Sequence, residues 1–303
     1  MKRSNLLALA AVSVLVQLAT ASQVSAASIL GPALLTFSVL GGAAVTNTGA
    51  TTLTGDVGVA PGTAITGKAG ITVNGTNAAT PGNPSVHESD AIANLAQNDL
   101  VIAQASLALL GPGTPLPMDL AGLTLAPGIY TVPAGTSNLT GTLILDGMGD
   151  ANAFWLFQLP ATLITSPGSV VDVRNTGAGA RLFWNVGSSA TLDTTTMFQG
   201  NILALASITL NTGATIGCGR ALAHVAQVSM DTNTVSIGCA GTGEEGSNGL
   251  SGGAFNGGGG DINPTPVPEP GTMLLLGSGL AWAASRRRKS CEDRRSVTAG
   301  PTR

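Results

Sequence analysis

A short pattern recurs in the middle of this chain of 303 residues. A residue with a hydroxyl group directly precedes an apolar residue at Thr191-Leu192, Thr209-Leu210 and Ser229-Met230. The steps are 18 and 20 residues apart, an interval typical of repeats that stack as the coils of a solenoid. Because side chains alternate between the two sides of a strand, equivalent residues of successive coils should form rows. The pattern therefore predicts a β-solenoid with flat faces.

Short apolar runs rich in β-branched and aromatic residues accompany the repeat, and Gly, Asn, Asp and Pro separate them. Such runs are typical of strands, and their separators are typical of turns. The runs are 128–132, 142–145, 154–159, 170–173 and 182–186. The sequence thus predicts a mostly β domain whose interior holds most of the aromatic side chains.

Residues 85–110 differ from the rest, since they lack Gly and Pro and are rich in Ala and Leu. The apolar residues at helical spacing are Ile92, Leu95, Ile102 and Leu109. Ser85 and Glu88 form an S-x-x-E capping box, and Gly111 follows as a stop. We therefore predict one helix over 85–110. With ~1.5 Å per helical residue and ~4.8 Å per coil, it would flank about eight coils.

Composition and charge exclude several classes of function. Only 10% of residues are charged, and residues 27–239 hold ten acidic against four basic residues, a net charge of −6. This balance argues against nucleic acid as a partner. The acids are scattered singly, whereas β-helical lyases and hydrolases need clustered carboxylates with a base or Ca²⁺. His87 and His224 stand apart, so we predict no metal site, no cofactor and no catalytic site.

The N-terminal end has the pattern of a secretory signal peptide. Lys2 and Arg3 precede an apolar stretch at 6–18, and small residues occupy the cleavage positions at 24–26. The mature chain should therefore start near Ala27, after a signal peptide of residues 1–26.

The C-terminal end carries a Pro-Glu-Pro motif, an uncharged stretch and a basic cluster in that order. The motif residues are Pro268, Glu269 and Pro270, and the cluster contains Arg286, Arg287 and Arg288. The stretch at 271–285 is shorter than the ~20 residues of a membrane-spanning helix. Residues 267–289 closely resemble the PEP-CTERM sorting signal of Gram-negative bacteria. The resemblance implies transient anchoring in the inner membrane, processing by an exosortase, and release to the cell surface or matrix. The extra tail at 290–303 departs from that pattern.

Residues 240–266 are rich in Gly and Ser and include a run of Gly at 257–260. Such a composition buries too little apolar surface to offset the entropy of ordering. We predict a flexible tether with a root-mean-square reach of about 30 Å. This leaves 27–239 as one domain.

Several segments resemble the microbial ice-binding-protein-like domain. They are 54–59, 154–158, 182–192 and 200–223, and they occur in family order with the helical segment in its place. The resemblance implies a discontinuous right-handed β-solenoid of triangular cross-section. In that fold the N-terminal segment packs beside the coils made after the helix, and the partner is ice.

Ice presents no charge to recognise, only a periodic array of water, so a binder needs a broad, flat and stiff face. Thr suits such a face because its χ1 is restricted and it carries both a methyl and a hydroxyl. Some family members carry T-A/G-x-T/N segments, and this chain has two, at 48–51 and 212–215. By the 18- and 20-residue intervals, Thr212 should stack with Thr194 and Thr232. The candidate ice face is thus Thr194, Thr212, Thr215, Thr232, Thr48 and Thr51. The alternative is that Thr is frequent here because it favours strands.

Cys218 and Cys239 lie about one coil apart in an exported chain. This favours a disulfide, worth about 3 kcal/mol for such a loop, and free thiols are the alternative. Cys291 lies beyond the sorting signal and is not expected to pair with either. Arg220 is expected to be a buried or rim cation held by carbonyls or an Asp, and a functional role is the alternative.

Two functions remain for an exported solenoid of this kind. The first is ice binding through a Thr-rich face, and the second is a structural or adhesive role in the extracellular polysaccharide or biofilm matrix. The presence of a flat, uncharged face lined by Thr would favour the first.

Overall fold

The computed structural model describes residues 29–133, 135–239 and Leu250. Within this part the chain forms 23 strands, a 3-10 turn at Lys68–Gly70 and the helix α1 at Ala91–Leu109. Eight strands precede the helix: β1 Phe37–Gly41, β2 Ala44–Thr48, β3 Thr51–Thr54, β4 Asp56–Val59, β5 Ala64–Thr66, β6 Ile71–Val73, β7 Thr76–Asn77 and β8 Val86–Glu88.

Fifteen strands follow the helix and continue to the end of the domain. They are β9 Thr114–Pro115, β10 Thr124–Leu125, β11 Gly128–Thr131, β12 Ser137–Leu139, β13 Thr142–Asp146, β14 Phe154–Leu159, β15 Leu163–Thr165, β16 Val170–Arg174, β17 Arg181–Val186, β18 Ala190–Leu192, β19 Met197–Ala204, β20 Ile208–Leu210, β21 Thr215–Ala223, β22 Val228–Asp231 and β23 Thr234–Ser236. Among the described strands, only β6 and β7 pair in the antiparallel sense.

Strand pairing defines three faces. The seven-strand face is the sheet β12-β15-β18-β20-β22-β2-β5. The third face runs from β10 through β13, β16, β19, β21, β23 and β3 to β6. The helix-covered face runs from β9 through β11, β14, β17, β19, β21, β1 and β4 to β8. The long strands β19 and β21 bend, so each belongs to two faces. This three-sided solenoid matches the predicted fold class; its right-handed sense stays a prediction.

The stack is discontinuous in sequence. β1, β2 and β3 pair with β21, β22 and β23, so the N-terminal strands sit on the last coils of the chain. α1 connects the two parts along one side. The predicted placement of the N-terminal segment is therefore confirmed.

The helix is shorter than predicted, and its predicted start is wrong. Ser85 and Glu88 do not cap it, because Val86–Glu88 pairs with β4 as a strand. The carboxylate of Asp90 caps the helix instead by accepting the N–H of Ala93 at 2.8 Å. The 19 residues of α1 span about 28 Å, the height of six coils and not eight.

The buried face of α1 also differs from the apolar spacing in the sequence. Small residues such as Ala93, Ala96 and Ala103 face the solenoid with Leu100 and Leu107. The four apolar positions used to recognise the helix are 48 to 87% exposed: Ile92, Leu95, Ile102 and Leu109. The solenoid surface already presents large side chains to the helix, among them Leu156, Phe183, Leu203 and Leu222. Alanines let the helix approach that surface closely.

Aromatic rings fill the interior, as predicted. Phe157 and Trp184 stack at a centroid distance of 4.1 Å, and Phe198 lies 4.9 Å from Trp184. The Trp184 indole N–H donates to the carbonyl of Gln199 at 2.9 Å. Cys218 and Cys239 form the predicted disulfide. The strands thus rest on a closely packed, cross-linked core, which holds the faces stiff.

Candidate functional site

A row of hydroxyl side chains crosses the seven-strand face. The strand register places five outward residues side by side: Thr191, Thr209, Ser229, Thr46 and Thr66. The apolar residue that precedes each of them points into the core. Since parallel strands lie ~4.8 Å apart, the row is about 19 Å long. We call it the central row. Ile164 and Asn138 extend it at the end nearer β12.

A second row lies beside it, one outward position earlier in each strand. It contains Ser189, Ser207, Gln227, Ala44 and Ala64. The Ser207 hydroxyl donates to that of Ser189 at 3.0 Å, and the Gln227 amide donates to the Ser229 hydroxyl at 3.0 Å. The first bond joins two neighbouring members of the second row, and the second bond joins the second row to the central row. Together the two rows form an uncharged, laterally bonded surface.

The opposite edge of this face is charged. It carries Asp193, Asn211, Asp231 and Thr48, which follow the central row by two residues. The Asn211 amide donates to Asp193 at 2.9 Å, and this bond lowers the pKa of Asp193. Hydrogen bonds from Thr212 and Thr232 lower the pKa of Asp231. Both carboxylates are thus held in the ionised form, so this edge differs chemically from the two rows.

The predicted ladder of Thr194, Thr212 and Thr232 lies at the turns beyond this edge. Thr212 lies opposite Thr194, as the 18-residue interval predicts, but the predicted position of Thr232 opposite Thr212 is wrong. The Thr195 N–H donates to the carbonyl of Thr212, and the Gly213 N–H donates to the carbonyl of Asp231, both at 3.1 Å. Asp231 therefore lies opposite Thr212. The turn after β22 is one residue shorter than the turn after β20, so the interval falls from 20 residues to 19 on the third face.

The remaining predicted site residues separate onto different parts of the molecule. Thr48 is exposed and pairs with Asp231 at the charged edge. Thr215 lies on the third face. Thr51 is only 1% exposed, and its hydroxyl accepts the N–H of Asn233 at 3.1 Å, so it is a core residue and not a surface one.

A second hydroxyl row lies on the third face, and of its members only Thr215 was predicted. The register aligns Thr215, Thr234, Thr52 and Thr72. Beyond Thr215 the row changes to Met197 and Val170. The alternation in Thr52-Leu53-Thr54 and Thr234-Val235-Ser236 marks half-buried strands and could have indicated this row. The sequence repeat already contains three members of the central row, Thr191, Thr209 and Ser229.

Comparison with known proteins decides the family. Residues 39–236 match the Ice-binding-like family model, and residues 266–289 match the PEP-CTERM protein-sorting motif. The chain belongs to the ice-binding-like family. Both resemblances predicted from the sequence are thereby confirmed.

Relatives of this ice-binding-like chain include the ice-binding protein of Nostoc sp. (strain HG1), 43% identical over 86% of this chain and 87% of that one. The ice-binding protein of Flavobacterium frigoris (strain PS1) is 30% identical over 66% of this chain and 73% of that one. Among solved structures, an ice-binding protein from an Antarctic biological consortium is 37% identical, with a TM-score of 0.61 over 71% of this chain and 93% of that one. That of Antarctomyces psychrotrophicus is 36% identical, with a TM-score of 0.60 over 67% and 95%.

Other polar landmarks of this ice-binding-like domain hold the fold. His87 is buried at the helix start, with Nδ1 2.7 Å from a carboxylate oxygen of Asp90. Arg220 is 1% exposed and donates to the Leu35 carbonyl at 2.7 Å and to the Asn201 side-chain oxygen at 2.9 Å. Burial lowers the pKa of Arg220 to about 9. The prediction of a buried cation held by carbonyls is confirmed.

Within the described part of the chain, no three His, Cys, Asp or Glu side chains lie together as a metal site would require. None of its helices is long and apolar enough to cross a membrane. The predicted signal peptide, most of the tether and the sorting segment with Pro268, Glu269, Pro270, Arg286, Arg287 and Arg288 lie outside the described residues.

Proposed function

We propose that this chain is an exported ice-binding protein that adsorbs to ice through the two uncharged rows of its seven-strand face. The central row is the observation that carries the proposal. It places Thr191, Thr209, Ser229, Thr46 and Thr66 in strand register on an open face. The named function of its relatives supports the same conclusion.

The physical basis is the match between a periodic surface and a periodic ligand. Strand pairing sets the spacing of the row at ~4.8 Å, and the β-branch of Thr restricts χ1. Each Thr offers a hydroxyl that can hold water and a methyl that favours water ordered like ice. The stacked aromatic core behind the strands prevents the face from bending. The water held on this face can therefore join the lattice without a change in the protein.

The charged edge marks where the adsorbing surface ends. Asp193 and Asp231 are ionised and hold their own hydration, which is unlike the hydration of ice. Thr194, Thr212, Thr232 and Thr48 lie at or beyond this edge, so in this proposal they border the ice face. Thr215 belongs to the neighbouring face.

Thr209→Tyr tests the proposal at the centre of the row. A tyrosine there should abolish inhibition of ice recrystallisation by the purified mature chain, because the ring displaces ordered water. The free energy of unfolding should change by less than about 0.5 kcal/mol, since the site faces solvent. Thr114→Tyr is the matched control, because Thr114 is exposed at the end of the helix-covered face. It should keep full activity.

Thr212→Tyr tests whether ice adsorbs to the central row or to the predicted ladder of Thr at the turns. Activity that survives Thr209→Tyr but is lost in Thr212→Tyr would move adsorption to the turns. An unmodified chain without any effect on ice would instead favour a structural role in the polysaccharide matrix.

The C-terminal segment supports export in this proposal. A sorting motif of this type would be recognised by an exosortase, after transient anchoring of residues 271–285 in the inner membrane. Its removal would leave the domain at the cell surface or in the matrix, where exopolysaccharide is a further proposed partner.

A further inference from the structure

The edge between the third face and the helix-covered face has a gap in its strand pairing. β19 bends there at Gly200, whose φ is +99°. Pairing between β17 and β19 starts at Phe183 with Asn201. The N–H of Leu182, one residue earlier, donates at 3.1 Å to the carbonyl of Leu250. The backbone of Leu182 is thus bonded to a residue of the predicted tether.

Leu250 is held by both its backbone and its side chain. Its carbonyl also accepts the side-chain amide of Asn201 at 2.9 Å. Its side chain is fully buried and joins the same core cluster as Leu182 and Trp184. A residue of a freely moving tether would show neither feature.

The disulfide lies on the same edge of the solenoid. Cys218 directly precedes Gly219, the residue of β21 that pairs with Gly200 at the bend, and it is bonded to Cys239. The chain is therefore held to this edge twice after its last strand, first covalently at Cys239 and again at Leu250. In a three-sided solenoid, this edge is the one opposite the seven-strand face.

We propose that Leu250 fixes the chain to this edge through its carbonyl and its buried side chain, and we call this contact the strap. The chain beyond Leu250 should then start from the side away from the seven-strand face, and a support that holds its C-terminal end should leave that face pointing outward. The outward presentation of an ice-binding face rests on the proposed function; the strap itself does not.

Thiol labelling tests the strap in the full mature chain carrying Cys291→Ser wherever that residue is retained. A thiol introduced by Leu250→Cys should react with a maleimide at least tenfold more slowly than one introduced by Leu109→Cys. Leu109 is the matched control because it is 87% exposed on α1. In denaturant the two rates should be equal. Equal rates in the native state would overturn the proposal.

Hydrogen exchange provides a measurement that does not depend on the cysteine variant. In the unaltered chain the amide of Leu182 should exchange at least tenfold more slowly than in Leu250→Ser. Leu109→Ser should leave that exchange rate unchanged. An unprotected Leu182 amide in the unaltered chain would also overturn the strap.

Immobilisation separates this inference from the proposed function. Beads that hold the chain by a biotin at its C-terminal end should capture ice, whereas beads that hold it through a thiol from Thr209→Cys should not. If the free chain is active but the tail-held chain is not, outward presentation is wrong. If the free chain is inactive, the proposed function is wrong, and the labelling result still decides the strap.

Discussion

Gly200 lies where β19 bends between two faces, and the core leaves no space for a side chain there. A Cβ at this position would lie 2.4 Å from Leu182 Cγ and 2.7 Å from Trp184 Nε1. Its positive φ also strains any residue with a side chain. Gly200→Ala should therefore lower the free energy of unfolding by at least about 2 kcal/mol.

Chemical denaturation measures this loss. Gly217→Ala is the control, because a Cβ at Gly217 would meet no other atom within 4 Å and its φ is not positive. This variant should stay within about 0.5 kcal/mol of the unaltered chain. A similar loss in both variants would contradict a specific requirement for Gly at the bend.

Asp231 makes stability at the charged edge depend on pH. Hydrogen bonds from Thr212 and Thr232 lower its pKa in the folded state. Its contribution is therefore present above the pKa of the unfolded chain, about 3.9, and is lost as pH falls through the lower folded value. Asp231→Asn should reduce the fall in melting temperature between about pH 4 and pH 2.

Calorimetry across that range tests the effect. Asp172→Asn on the third face serves as the control, because among the described residues its carboxylate accepts no hydrogen bond. It should retain the profile of the unaltered chain. Indistinguishable profiles for all three proteins would exclude a role of the Asp231 hydrogen bonds.

The helix α1 depends on its small buried face. Leu100 is fully buried against the solenoid, whereas Leu95 is 58% exposed. Leu100→Ala should cost about 2 to 5 kcal/mol because it leaves a cavity. Leu95→Ala should change the free energy of unfolding by less than about 0.5 kcal/mol. The two values come from denaturant titration, and equal losses would mean that the helix packs with another face.

At this scale the sequence predicts elements better than their contacts. The absence of Gly and Pro was sufficient to locate α1, but hydrophobic spacing selected its outward face. That choice depends on side chains such as Leu222, which belong to strands made more than a hundred residues later. Similarly, Leu210 and Ile216 are six residues apart while Met230 and Val235 are five apart. This difference shows that the turn after β22 is one residue shorter, which is why Thr232 does not stack on Thr212. The intervals of 18 and 20 residues were taken from the seven-strand face and give no information on the length of that turn.

At the scale of the whole molecule, the proposed function assigns the location of the domain to the segment that matches the PEP-CTERM motif. Glu269→Ala, in the Pro-Glu-Pro motif, should block removal of the C-terminal segment. The unprocessed chain should then remain in the inner-membrane fraction. Lys289→Ala, at the end of the basic cluster, is a milder control and should allow processing. Cell fractionation with mass determination of the C-terminus measures both, and full release of the Glu269→Ala chain would contradict the proposed sorting.

The discontinuous stack dictates the order in which this protein can be completed. Val39 of β1 pairs with Ala221 of β21. One edge of the strands that are synthesised first therefore stays unpaired until strands near the end of the domain have been made. Contacts so distant in sequence slow folding, because a long loop must close before they form. A chain that lacks β21, β22 and β23 therefore leaves β1, β2 and β3 without these partners, and unpaired strand edges are prone to pair with other chains. Folding that starts only when β21, β22 and β23 are all available avoids that hazard.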